Sequence, residues 1–149
     1  MQKNLVFHIP TYTDDHSTFP KPVNEEYDYW TPLIKYFLLK SDTIEIHCWN
    51  EEIDTFEEIK KLNSFEIYKE DRITILKGMK NSILSMYLSK HHINNIGEFK
   101  WFTVNLNKGI VPVFHSGHWG TEFVVTNASE KDIELIKSII PAKTSFHQY

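Results

Sequence analysis

The stretch that decides the fold runs from Phe99 to Thr126, FKWFTVNLNKGIVPVFHSGHWGTEFVVT. Apolar and polar residues alternate in three runs within it, which is typical of strands that bury one face. Residues 107–109 (NKG) are a turn signal between the first two runs, and residues 116–120 (SGHWG) form a tight connection between the second and third. Pro112 indicates a sheet edge or a bulge. We therefore predict a three-stranded meander.

Upstream of this meander, strands and helices alternate. The pair Thr31-Pro32 has the residue types of a helix start, and the acidic helix after Trp49 begins at Asn50 or at Thr55. Residues 11–22 are typical of a loop, which carries Asp14, Asp15 and His16. The predicted elements are, in order, a strand at 5–9, a helix from 31, a strand at 43–49, the acidic helix at 51–62, a hairpin at 65–76 and a helix at 79–92. In the last of these, Leu84, Met86 and Leu88 also alternate, which allows a strand instead.

Downstream of the meander, Ser129 and Asp132 have the spacing of a cap for a last helix, which Pro141 ends. Residues 143–149 look like a polar tail. The whole order, β-α-β-α-β-β-α-β-β-β-α, predicts an α+β fold: a single mixed, mostly antiparallel sheet with three to four helices packed mainly on one face. The first half allows a parallel βαβ unit. We expect one domain over residues 1–149.

Composition narrows the function classes. The 149 residues are 41% hydrophobic and 24% charged, which is typical of a globular chain, and the net charge is −4. Arg72 is the only arginine, so general nucleic-acid binding and docking on an anionic membrane are both disfavoured. Cys48 is the only cysteine, which excludes an internal disulfide. With no signal-peptide pattern at the start, we expect a cytoplasmic protein.

Charge is unevenly distributed along the chain, acidic from Asp42 to Asp71 and then basic as far as Lys108. The acidic helix is either a solvated face or a surface for a basic partner protein, with aromatic anchors beside it. Tyr27, Tyr29 and Trp30 are further candidate anchors. The predicted partner-binding residues are Trp49, Glu51, Glu52, Asp54, Glu57 and Glu58.

The connection 115–122 (HSGHWGTE) concentrates chemistry in eight residues. A four-residue loop places His115 opposite Gly120 and puts Glu122 diagonally on the same face. Together with His118, these side chains are able to hold zinc with one position open for water. The spacing matches no standard zinc motif, and a polar hairpin tip is the simpler interpretation. A zinc site requires a further ligand, such as His8 or His47, brought in by the fold.

The remaining histidines and the cysteine give weaker signals. His8 and His47 lie in predicted strands, where they are either satisfied core side chains or, with Glu45, the lining of a ligand cleft. His91-His92 ends a predicted helix, where the helix dipole favours a cation. Cys48 shares a strand face with Ile44 and Ile46, so we expect a buried, inert thiol.

Three functions are compatible with these patterns. The leading hypothesis is a small bacterial or phage-encoded protein that neutralises a basic partner through the acidic surface, as an immunity protein does, without a cofactor. The second is a metal-dependent enzyme that uses His115, His118 and Glu122. The third is a ligand-sensing regulatory domain with a pocket lined by His8, His47 and aromatic rings.

Overall fold

The computed structural model describes residues 3–13, 19–23, 26–62 and 65–149, so the predictions for Asp14, Asp15 and His16 lie outside the described residues. The α+β prediction is confirmed. The elements are, in chain order, β1 (Lys3–His8), β2 (Thr11–Tyr12), β3 (Lys21–Pro22), α1 (Trp30–Leu38), β4 (Thr43–Trp49), α2 (Ile53–Lys60), β5 (Glu66–Lys69), β6 (Ile73–Met79), α3 (Ser82–Lys90), β7 (Thr103–Lys108), β8 (Val111–Gly117), β9 (Glu122–Ala128), α4 (Glu130–Ile139) and β10 (Ser145–Gln148).

Eight strands form one sheet in the order β10-β1-β9-β8-β7-β4-β6-β5, and every neighbouring pair is antiparallel. The predicted parallel βαβ unit is therefore wrong, because three strands of the later meander separate β1 from β4. The two short strands β2 and β3 pair with each other in a second sheet. Within the described ranges, no helix is long and apolar enough to cross a membrane.

The core lies between the helices and one face of the large sheet. Phe37 of α1 stacks on Phe114 of β8, with ring centroids 4.8 Å apart, and Trp30 packs against Phe123 of β9. The indole Nε1 of Trp30 donates a hydrogen bond to the Leu88 carbonyl, which ties α1 to α3. Burying aromatic side chains of this size contributes about 1.5–3 kcal/mol each, so this layer supplies much of the stability.

The helix ends differ in part from the predictions. The helix α1 begins at Trp30, so Thr31 already lies in its first turn and does not cap it, and the Thr31 hydroxyl donates to the Ser89 carbonyl instead. The helix α2 begins at Ile53, after Glu52, rather than at either predicted start.

At α4, the predicted pair of Ser129 and Asp132 forms a capping box. Burial alone would raise the pKa of Asp132, but hydrogen bonds from Lys40 and Tyr36 lower it to about 2.

The later strands also differ from the predictions. The strand β7 begins at Thr103, since Phe99 and Trp101 are buried in the core instead. Pro112 lies in an interior strand, but the pairing of β7 with β8 shifts beside it, so the predicted bulge is confirmed and the predicted edge is wrong. The predicted polar tail is also wrong, because residues 145–148 pair with β1 as the edge strand β10.

Candidate functional site

The large sheet has a second face, which we call the open face, and strand alternation decides which side chains lie on it. In β4, Ile44, Ile46 and Cys48 are buried under the helices, so Glu45 and His47 lie on the opposite side. The prediction of a buried thiol is confirmed, and burial raises the pKa of Cys48 to about 12. A thiol in that state is a poor nucleophile at neutral pH.

Strand register aligns polar side chains in a row across the open face. Glu45 of β4 pairs with Asn105 of β7, which in turn pairs with His115 of β8. Asn105 Nδ2 donates to Glu45 Oε2 over 2.9 Å, and His47 Nε2 lies 2.6 Å from that same oxygen. Lys77 Nζ of β6 lies 3.4 Å from the other oxygen. Glu45 therefore holds together a hydrogen-bonded network that spans four strands.

Two members of this network, Glu45 and His115, have pKa values below their ordinary ones. Burial alone would raise the pKa of Glu45, but the hydrogen bonds from Asn105 and His47 hold it below its ordinary value. Because the Asn105 amide donates to this carboxylate, its Oδ1 is left to accept from His115 Nδ1–H, 2.6 Å away. Burial lowers the pKa of His115, and the nearby His47 lowers it further. Because Nδ1 carries the proton of this bond, the neutral form of the His115 ring has its lone pair on Nε2.

Gly117 makes room for this imidazole. A Cβ atom on Gly117 would lie 3.0 Å from His115 Nε2, which is closer than side chains normally approach. Gly117 pairs directly with Glu122 across the β8–β9 hairpin. The free nitrogen of His115 therefore lies on the same side of the hairpin as the Glu122 carboxylate.

Glu122 lies between two further histidines. Its Oε1 is 3.4 Å from His8 Nε2 and 3.4 Å from His118 Nδ1. His8 is its cross-strand partner in β1, whereas His118 belongs to the turn that precedes β9. All three side chains are accessible, with exposed fractions of 47% for His8, 39% for Glu122 and 56% for His118. We call His8, His115, His118 and Glu122 the histidine cluster.

The turn that carries His118 has an unusual backbone. His118, Trp119 and the following Gly120 have φ angles of 47°, 55° and 77°, all in the left-handed region that side-chain-bearing residues rarely adopt. Tertiary hydrogen bonds hold this conformation, since the Tyr29 hydroxyl donates to the Gly120 carbonyl and Trp119 N–H donates to the Phe102 carbonyl. Strain of this kind persists where surrounding contacts impose it.

The predicted ligand set of His115, His118 and Glu122 is therefore brought to one side of the hairpin, although by a different register. His115 pairs with Val124 and not with Gly120, and Glu122 is still its diagonal neighbour. His8 joins the set, as a zinc site would require. Among the described residues, no group of three or more His, Cys, Asp or Glu side chains is already arranged to hold an ion.

The acidic helix α2 presents a second candidate surface. Glu51, Asp54 and Glu57 are exposed, whereas Glu52 and Glu58 are partly buried. Glu52 accepts hydrogen bonds from the Trp49 backbone N–H at 3.0 Å and from the Trp119 indole at 3.4 Å.

Glu58 accepts from the Tyr87 hydroxyl and from Lys100 Nζ, each at 2.6 Å. Burial alone would raise its pKa, but the hydrogen bonds from Lys100 and Tyr87 lower it. With Glu52 and Glu58 both bonded within the molecule, two of the five predicted carboxylates are engaged, and three are displayed.

A groove of about 440 Å³ is lined by two of the displayed carboxylates, Glu51 and Asp54, and by the two engaged ones, Glu52 and Glu58. Its acidic side comes from the start of α2, and its other wall comes from residues 94–96 and Lys100. Two large apolar side chains on its rim face solvent, Ile53 with 63% and Ile96 with 76% of its surface exposed. Exposed apolar side chains that are bordered by charged ones, here carboxylates, are typical of protein-binding surfaces. We call this site the acidic groove.

Three of the predicted aromatic anchors lie inside the molecule, and the fourth, Trp49, is partly buried. Tyr27, Tyr29 and Trp30 belong to the core, with exposed fractions of 7%, 3% and 0%. Trp49 packs edge-on against Phe102, at 5.1 Å between ring centroids. The apolar part of the acidic groove is thus built from isoleucines that the sequence analysis did not select.

A polar residue of each site was missed from the sequence, because each acts through a residue of another element. Asn105 of β7 orients His115 of β8, and Lys100 pairs with Glu58 of α2. The only sequence signal for Asn105 and for Lys100 was an isolated polar residue in a largely apolar segment. The predicted helix end near His91-His92 is confirmed, since His91 is the C-cap of α3. Burial lowers the pKa of His92 to about 4, so this imidazole is neutral at pH 7 rather than a cation that complements the helix dipole.

Comparison with protein-family models, curated proteins and solved structures finds no match to this chain. Function is therefore inferred from the geometry and charge of the histidine cluster and of the acidic groove.

Proposed function

We propose that this protein binds and neutralises a basic protein partner through the acidic groove, in the manner of an immunity protein for a bacterial toxin. The observation that carries the proposal is the pairing of displayed carboxylates with exposed isoleucines around one groove. Glu51 and Asp54 line the groove and supply charge, Glu57 adds an exposed carboxylate further along α2, and Ile53 and Ile96 supply apolar contact area. We place this activity in the cytoplasm of a bacterium, on the basis of the single buried cysteine and the composition.

Charge and apolar area have separate roles in this binding. The three carboxylates attract a basic surface over about 8–10 Å at ordinary ionic strength, which raises the rate of association. The two isoleucines lose contact with water in the complex, which slows dissociation. A partner that fits combines several lysines or arginines with an apolar side chain that enters the groove between Ile53 and Ile96.

Affinity capture from cells that carry the gene, compared among variants, tests the proposal. The test variant is Glu51→Lys with Asp54→Lys, which changes the two exposed carboxylates that line the groove. Its matched control is Glu130→Lys with Glu134→Lys, which makes the same change of charge at two exposed positions of α4. The captured partner is then purified, and its dissociation constant is measured at several salt concentrations.

We expect the test variant to bind at least about tenfold more weakly and with a smaller salt dependence, since close charge pairs contribute more than 1 kcal/mol at interfaces. The control variant retains the wild-type affinity. A second variant, Ile53→Ala with Ile96→Ala, dissociates faster at unchanged association rate. Equal losses in the test and control variants would show that net charge alone acts, and the acidic groove would be rejected as the binding site.

A further inference from the structure

We propose that the histidine cluster on the open face binds one divalent transition-metal ion of the zinc class. His115, His118 and Glu122 are the principal ligands, and His8 is the additional one. This site shares no residue with the acidic groove, so it stands or falls independently of the proposed function.

The first support is the spacing around Glu122. Its Oε1 is 3.4 Å from the ring nitrogens of both His8 and His118. A charge-assisted hydrogen bond is shorter, at roughly 2.7–2.9 Å. Two ligands on a tetrahedral ion with bonds of about 2.0–2.1 Å lie roughly 3.3–3.4 Å apart. Each of these two nitrogens is thus as far from Glu122 Oε1 as two ligands of one ion are from each other.

The second support is the way His115 is oriented. Metal-binding histidines commonly donate their second ring N–H to a carboxylate or carbonyl oxygen, which fixes the tautomer and leaves a lone pair for the ion. Asn105 Oδ1 accepts from His115 Nδ1–H in this way, and Glu45 fixes the orientation of the amide. The free Nε2 of His115 lies above Gly117, the strand partner of Glu122. Its orientation is set before any ion arrives.

The third support is that the cluster combines one fixed ligand with three adjustable ones. As the side chains stand, no group of three or more in the described part of the chain could hold an ion, so binding requires the rings of His8 and His118 to turn toward His115 Nε2. Both side chains are about half exposed, which leaves them space on the solvent side to turn. The left-handed turn at residues 118–120 holds His118 on the side of Glu122 throughout.

The ligand chemistry selects the ion. Imidazole nitrogens favour Zn²⁺, Ni²⁺ and Co²⁺, whereas Mg²⁺ and Ca²⁺ prefer sets of oxygen ligands. Three imidazoles and one carboxylate give a set that neutralises one charge of the ion. We therefore expect affinity for Zn²⁺ and none for Mg²⁺ at comparable concentrations.

Titration of the untagged, chelator-treated protein with Zn²⁺, in competition with a chromophoric chelator, tests the site. The variants are Glu122→Gln and His118→Ala, both at accessible positions outside the core, and Asn105→Ala, which leaves all the ligands in place but removes the group that orients His115. The matched control is His147→Ala, a histidine of the edge strand β10 that lies outside the cluster. Circular dichroism confirms that each variant is folded.

We expect one equivalent of Zn²⁺ to bind to the wild type and to His147→Ala with equal affinity. Glu122→Gln and His118→Ala bind at least about tenfold more weakly, and Asn105→Ala is weakened by roughly 10- to 100-fold, as for other residues that orient a ligand. The absence of stoichiometric binding overturns the proposal. So does binding that Glu122→Gln and His118→Ala leave unchanged, because the ion is then held at other histidines.

Discussion

The histidine cluster and the acidic groove contain similar residue types but are built in opposite ways. On the open face, Glu45 contacts side chains of β4, β6 and β7, and the Asn105 amide that it orients bonds to His115 before any ligand binds. At the acidic groove, Glu51 is exposed just before α2 and Asp54 in its first turn, and Glu57 is exposed further along the same helix. The fold thus fixes the orientation of His115 in the histidine cluster in advance, whereas it only exposes those three carboxylates to solvent.

The largest expected effect that distinguishes the two regions is on stability. Glu45→Ala removes the acceptor for Asn105, His47 and Lys77, and it leaves partly buried donors without a partner. We expect the free energy of unfolding, measured with urea, to fall by about 2–3 kcal/mol.

Glu57→Ala is the control for this measurement, because it removes an exposed carboxylate and should change stability by less than about 0.5 kcal/mol. Equal effects of the two substitutions would contradict the contrast between a fixed and a displayed region.

A smaller effect is expected from Gly117→Ala, which tests whether the position of His115 depends on the space above this glycine. The new Cβ displaces the imidazole and breaks its bond to Asn105, at a cost of about 1–2 kcal/mol. The ¹⁵N shifts of the His115 ring should then lose the signature of a fixed tautomer. In a His115→Ala background the same substitution should cost little, and a full cost there would show that the strain lies in the backbone.

Glu58, which is paired with Lys100 at the edge of the acidic groove, should make the free energy of unfolding depend on pH. The pKa of Glu58 is lowered in the folded protein, so its stabilising contribution is complete above its ordinary pKa of 4.5 and is lost as the pH falls below that value. Wild type and Glu58→Gln should therefore differ by about 1 kcal/mol at pH 7, a modest value because the side chain is partly exposed.

That difference should shrink as the pH falls from 4.5 toward 3, measured by urea unfolding at each pH. A difference that grows on acidification would show that the carboxylate destabilises the fold.

The smallest effect is expected for the displayed carboxylates. Replacing Glu51, Asp54 and Glu57 by glutamine should leave the free energy of unfolding within about 0.5 kcal/mol of wild type, because none of them needs a partner in the folded state. The same triple variant should lose affinity for the captured basic partner. A large loss of stability would show instead that these side chains are structural.

The two regions also differ in how far the sequence predicted them. The acidic helix was predicted because charge and helical periodicity are local, although the internal bonds of Glu52 and Glu58 were not visible from the pattern. The sequence did not decide whether His8 or His47 lies beside Glu122, because this depends on the position of β1 beside β9 in the sheet. The polar tail was wrong for the same reason, since residues 145–148 form a strand only where β1 offers an edge.

By itself, the sequence determined the strands of the meander, the burial of Cys48, the capping box at Ser129 and the acidic character of α2. Each of these follows from residues within a few positions of one another, where alternation, turn chemistry and capping act. Only the tertiary structure decided that His8 lies beside Glu122, that Asn105 orients His115, and that Ile96 borders the acidic groove. The physical reason is that strand order and register decide which strands and side chains are neighbours, in the case of His8 and Glu122 across more than a hundred positions, and no local pattern records either of them.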